Sequence, residues 1–152
     1  MRKFLVLLDD SRECLNAMRF AAMRAAKSQG AAVVILSVIP AEEIQHGFGV
    51  ADVMRAEARE RIEAHFEVFA KWMRSRPGIE PDLVIREGDP AEELLAQIAD
   101  DGEIGVVVLG LSAEKSGQNP VLTRLLRDPT ALPCPITLVP GDLSKDRLDA
   151  IT

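Results

Sequence analysis

The chain has 152 residues and a formal net charge of −6 at pH 7, with 28% charged and 47% hydrophobic residues; this is the balance of one ordinary folded domain, not of a disordered or low-complexity chain. The acidity is spread and no basic stripe interrupts it, which argues against DNA, RNA or an anionic membrane as an electrostatic partner. Cys14 and Cys134 are isolated, without metal-ligand spacing, so they are expected to be free thiols in a reducing, cytoplasmic compartment.

Lys3 to Leu8 is a continuous apolar strand signal, too short for a signal-peptide core and closed by Asp9-Asp10. Asp10-Ser-Arg-Glu13 has the form of a capping box and predicts a helix over roughly 11–29, with Ala17, Ala21, Ala22 and Ala25 on its packing face. Val33 to Ile39 is a second strand, apolar on both faces. A loop with Gly47 and Gly49 leads into the longest helix, where Ile62, Phe66, Phe69 and Met73 form one buried stripe. Asp82 to Arg86 reads as a short edge strand. Asp89-Pro-Ala-Glu92 then supplies an N-cap, a first-turn proline and an N3 carboxylate for a third helix.

Val106 to Leu109 is a buried strand expected to stop at Gly110. A polar loop follows, and Asn119-Pro120 predicts the start of a helix containing Leu122, Leu125 and Leu126. Strand, glycine, polar loop and helix start are the usual parts of an anion-binding turn, and Lys115, Ser116, Gly117, Asn119 and Thr123 are the polar cluster beside it. Pro133-Cys-Pro135 sets an extended approach to a last strand, Ile136 to Val139. The division is one domain over 1–141 and a polar tail, 142–152, whose structure the pattern does not assign.

Five strands alternating with four helices predict an α/β sandwich around a mostly parallel sheet. Ligands in such sheets lie beyond the C-terminal strand ends, here Leu8-Asp9, Val38-Ile39 and Leu109-Gly110. Asp10 is expected to act as a cap, leaving Asp9 free to accept hydrogen bonds. An acidic pair after the first strand also occurs in receiver domains, but Arg86-Glu-Gly88 and Val139-Pro140 stand where such a domain needs its phosphoacceptor Asp and its Lys-Pro. His46 and His65 lack ligand partners at helical or hairpin spacing, and Trp72 reads as packing. No catalytic set is legible; a weak ATPase is the most that enzyme chemistry could amount to.

With these segments in view, the sequence resembles the universal stress protein A family over nearly its whole length. Leu5-Val-Leu-Leu-Asp-Asp-Ser11 is similar to the family's opening strand and Asp-Gly-Ser turn, Gly88-Asp-Pro-Ala-Glu-Glu-Leu-Leu95 to its Gly-x-Pro helix start, Gly105 to Gly110 to its penultimate strand, and Leu132-Pro-Cys-Pro-Ile-Thr-Leu-Val139 to its closing strand. The resemblance implies an open five-stranded parallel sheet in the order 3-2-1-4-5 with helices on both faces, a Rossmann-like, adenine nucleotide alpha hydrolase-like architecture. It also implies a homodimer and, in one branch, an ATP site on Gly-x-x-Gly, about nine residues, then Gly-Ser or Gly-Thr.

Gly110 and Thr123 match the ends of that motif, but Ala113 and Leu122 replace its other glycines, and each lost glycine puts a Cβ where a phosphate would approach the backbone. The expected site is Leu8, Asp9, Val38, Gly110, Ser112, Ala113, Ser116, Gly117 and Thr123. Asp9 would meet ribose or base, the Val38 backbone adenine, and Gly110 with Thr123 the phosphates, Ser116-Gly117 substituting for the missing glycines. The expected ligand is ATP or another adenine nucleotide, with or without Mg2+. A ligand-free dimeric interaction protein stays open beside it. Ile136 to Val139 is too apolar for a bare edge and predicts pairing with a second copy; the competing expectation is that the tail folds over that edge.

Overall fold

The computed structural model describes residues 2–44, 49–114 and 119–152; His46, Gly47, Lys115, Ser116 and Gly117 lie outside the described residues. In chain order the elements are β1 (Arg2–Leu7), α1 (Cys14–Lys27), β2 (Ala31–Ile39), α2 (Val50–Ser75), β3 (Asp82–Glu87), α3 (Pro90–Asp100), β4 (Ile104–Leu111), α4 (Pro120–Leu126), β5 (Ile136–Pro140) and α5 (Lys145–Ile151). Every strand pair is parallel and the order is β3-β2-β1-β4-β5. The sheet and its order are those expected.

Alternation along the central strands sorts the core into two layers. Phe4, Val6 and Leu8 of the first strand and its exit, with Val33, Ile35 and Ile39, pack beneath α1 and α2 together with Met18, Phe69 and Met73. Leu5, Leu7, Val34 and Leu36 face the other way, onto Leu94 and Ile98 of α3 and Leu125 of α4. The small face of α1 is realised: Ala17, Ala21, Ala22 and Ala25 are all buried, which lets this helix lie close over β1 and β4.

Two local expectations are corrected. Helix α1 starts at Cys14, and its N-cap, Glu13, makes no side-chain capping bond. The Asp9 carboxylate takes the Ser11 N–H at 2.9 Å and also the Ser11 hydroxyl, so the chain turns at Asp9-Asp10-Ser11 before the helix can begin. An aspartate that bonds the N–H two residues on builds a turn instead of a capping box. Asp9 is therefore the turn-former, and the capping role expected of Asp10 is not seen.

Strand β4 also runs through Gly110 to Leu111, with Gly110 paired to Val139. A Cβ at Gly110 would lie 2.5 Å from the backbone oxygen of Glu13, and one at Gly141 would lie 2.8 Å from both Glu13 Cβ and the Leu111 oxygen. Both glycines make room for the first turn of α1. The Asn16 side chain adds a clamp, donating to the Pro140 oxygen at 3.0 Å and to the Leu143 oxygen at 3.1 Å.

The closing segment forms a fifth helix, capped by Ser144 at the Arg147 N–H. Leu148 is buried in the layer beneath α1, and α5 packs against α1. Strand β5 remains at the sheet edge, paired among the described residues with β4 alone.

Gly110→Ala should destabilise the fold by about 1–3 kcal/mol because the new methyl overlaps backbone that cannot swing aside. Gly102→Ala, where nothing lies within 4 Å of a Cβ, should stay within about 0.5 kcal/mol of the parent. Urea denaturation of both variants measures the difference.

Candidate functional site

The end of β1 opens a gap in the sheet. Pairing of β1 with β2 finishes at Leu7↔Leu36, followed by one bond from the Leu8 N–H to the Leu36 oxygen at 2.7 Å. In a parallel ladder alternate residues address alternate neighbours, so the N–H and C=O of Val38 turn towards β1 beyond the point where β1 can answer them. The Ser37 hydroxyl, at 3.3 Å, takes the Leu8 oxygen instead. Val38 thus presents a donor and an acceptor side by side at the rim of the sheet.

Two concavities meet there. One, of about 200 Å³, runs from Leu8, Asp9 and Val38 under α2, between Ile39, Pro40 and Ile62, with His65 and Arg61 on the helix side. The other, of about 280 Å³, runs from the same Leu8, Asp9 and Val38 past Ser11 and Glu13 to Asn119, Pro120 and Val121. Pro90 borders both. Asp9 stands at their junction. Its Oδ1 is taken by Ser11, while Oδ2 has no protein partner among the described residues and is free to accept from a ligand hydroxyl or amine.

The charge around the cleft is mostly negative. Asp9, Asp10 and Glu43 line the first arm and Asp9 and Glu13 the second; the one described Arg or Lys on either arm, Arg61, reaches Glu43 at 3.5 Å. His65 leans on Phe69, ring centroids 5.3 Å apart. Cys14 lies just below, its thiol donating to the Leu7 oxygen at 3.6 Å. Burial, reinforced by the neighbouring carboxylates of Asp9, Glu13 and Asp10, pushes this thiol up to about 12.

The structure brings together Leu8, Asp9 and Val38 of the expected residues. Gly110 is half-buried with the Glu13 backbone on the side where a Cβ would stand, and it lines neither concavity. The Ser112 hydroxyl accepts from the Glu114 N–H at 3.2 Å, and Ala113 is exposed in the same turn. Thr123 donates to the Asn119 oxygen at 3.1 Å and borders a neighbouring groove with Ala91 and Arg124. Ser116 and Gly117 lie outside the described residues. Asn119 caps α4 as expected, accepting from the Leu122 N–H at 3.1 Å, and also donates to the Gly110 oxygen at 2.9 Å.

Sequence reasoning missed the α2 wall and Pro90. His65 falls three residues after Ile62 on the helix face that covers the sheet, and that spacing was the available signal. Pro90 was read only as a helix start, although a first-turn proline beside a strand end also offers a flat apolar surface to a ligand.

Cys14 should resist iodoacetamide at pH 8 in the native protein, because a thiol titrating near 12 holds almost no thiolate there. It should react once the chain is unfolded in urea. Peptide mass mapping of the labelled positions distinguishes the two states; native labelling of Cys14 would contradict the burial argument.

Comparison with known proteins agrees with this architecture. The family model "Universal stress protein family" matches residues 1–140. A search of curated proteins found no match. Among solved structures, universal stress protein UspA from Lactobacillus plantarum superposes with a TM-score of 0.71 at 18% identity, covering 91% of this chain and 97% of that one. The universal stress protein from Archaeoglobus fulgidus in complex with dAMP gives 0.59 at 19% identity, over 91% and 98%. A universal stress protein family member from Arabidopsis thaliana with AMP bound gives 0.60 at 13% identity, over 96% and 94%. With the matched family model spanning β1 to β5 and the same fold recurring among its solved members, this chain belongs to the universal stress protein family.

Proposed function

We propose that the protein is a ligand-responsive regulator that binds an adenine nucleoside or its monophosphate in the cleft beyond β1 and β2. The observation that carries this reading is the convergence on one cleft of Asp9 Oδ2 and the Val38 N–H and C=O, which have no partner on β1 among the described residues. A base edge needs an adjacent donor and acceptor, and Val38 has both. A ribose diol needs an acceptor, and Asp9 Oδ2 supplies it. The first arm, lined by Ile39, Pro40 and Ile62, is of a size and polarity suited to a base; the second would take the sugar. The family's dAMP and AMP complexes support the ligand class.

Outer phosphates are less well served. Gly110 has the Glu13 backbone where a Cβ would stand and lies outside the second arm, Thr123 bonds within its own helix, and the described walls of that arm carry carboxylates and no Lys or Arg. A triphosphate would meet repulsion there. Monophosphate or nucleoside is therefore favoured over ATP, and Mg2+ is not required by this reading.

Isothermal titration with adenosine, AMP, ATP and GMP tests it. AMP or adenosine should bind at least as tightly as ATP, and GMP more weakly. Asp9→Asn keeps an oxygen for the Ser11 turn while replacing the free acceptor by a donor, so affinity should fall by about tenfold with an unchanged melting temperature. If no adenine compound binds below millimolar concentration, the reading fails.

The second reading, a protein that works through a dimer surface, has its own observation. Val107 N–H bonds the Pro135 oxygen, so the parallel alternation turns the N–H groups of Ile136 and Leu138 towards the open side of β5. The Leu138 side chain is 41% exposed on this edge. Antiparallel pairing of β5 with a second copy around a two-fold axis would satisfy these groups and cover Leu138. Leu138→Lys should shift the mass seen by light scattering from dimer to monomer without altering the circular dichroism spectrum; a monomeric parent protein would overturn the assignment.

A further inference from the structure

A separate concavity of about 260 Å³ opens between the middle of α1, the last turn of α2 and the start of α5. Its apolar wall is Met23, Trp72 and Pro77, all half-buried. Arg19, Lys27, Arg76 and Lys145 reach it from three different elements, against one carboxylate, Asp149. That ratio reverses the balance of a chain whose net charge is −6.

Like several other cations of the chain, none of the four makes an ion pair among the described residues; what sets them apart is that they gather at one apolar hollow. Arg19 lies over the Trp72 ring, 5.8 Å from its centroid. A guanidinium on an indole is a flat, weakly hydrated cationic shelf suited to a planar anion. Four like charges around one apolar hollow repel one another, and an anion seated among them removes that repulsion.

The hollow has room for one or two fused rings and is too small for a peptide segment. We propose that it binds a small aromatic carboxylate, the ring against Trp72, Met23 and Pro77 and the carboxylate among the rim cations. None of these residues lines the cleft beyond β1, so this site stands or falls independently of nucleotide binding.

Trp72 is the chain's single tryptophan, and its indole N–H gives one assignable NMR cross-peak inside the site. The full chain, labelled with nitrogen-15, is titrated with 2-naphthoate and with neutral 2-naphthamide. Naphthoate should move the indole peak saturably, with at least about tenfold tighter binding than the amide. Arg76→Gln and Lys145→Gln, both at exposed positions, should each weaken naphthoate by about two- to fivefold and leave the amide unchanged. The proposal is overturned by an absence of saturation, by equal affinity for acid and amide, or by indifference to both substitutions. A glutamate-rich peptide that displaces naphthoate at lower concentration would also overturn it, in favour of a protein partner.

Discussion

The constraint on which the structure depends is the distance between the first turn of α1 and the C-terminal ends of β4 and β5. The Glu13 backbone occupies the space that side chains at positions 110 and 141 would need, and Asn16 bonds the chain leaving β5. With α1 held that low, the connection from β1 must turn at once, and the Asp9 carboxylate makes the turn by taking Ser11. The same turn leaves Asp9 at the junction of two hollows. Helix seating, loop geometry and ligand-facing chemistry are thus one problem with one solution.

Much of the fold was legible because hydrophobic period, capping chemistry and proline placement agreed with one another. Asp89-Pro90 and Asn119-Pro120 mark their helix starts in the sequence, and each cap is made as written. The Asp10 to Glu13 pattern misled because two acids stand side by side and only geometry decides which reaches an N–H first. Gly110 carries a related ambiguity. A glycine at a strand's end can be needed by a ligand or by a neighbouring helix, and the neighbour, Glu13, is far away in sequence. Of the cleft, the strand-end residues Leu8, Asp9 and Val38 could be read from topology; the α2 wall could not, because its approach depends on tertiary packing and not on local pattern.

Charge is sorted by end and not by residue count. The strand-end cleft gathers Asp9, Asp10, Glu13 and Glu43, while the middle and end of α1 join the end of α2 and the start of α5 in gathering cations. Asp9, Asp10 and Glu13 precede α1 and Arg24 and Lys27 close it, an order that complements the helix dipole. A uniform net charge hides this division.

The Asn16 clamp has a consequence for how the chain is made. Asn16 sits in the first helix, yet its two acceptors, the Pro140 and Leu143 oxygens, are 124 and 127 residues further on. During synthesis the first helix is complete long before those acceptors leave the ribosome, and β4 cannot yet be flanked by β5. Closing a loop that long costs more entropy than local contacts do, so the seat of α1 is completed late, by a segment translated more than a hundred residues after the helix. A nascent chain arrested before β5 therefore has α1 resting on β1, β2 and β4, without the Asn16 clamp that fixes its first turn.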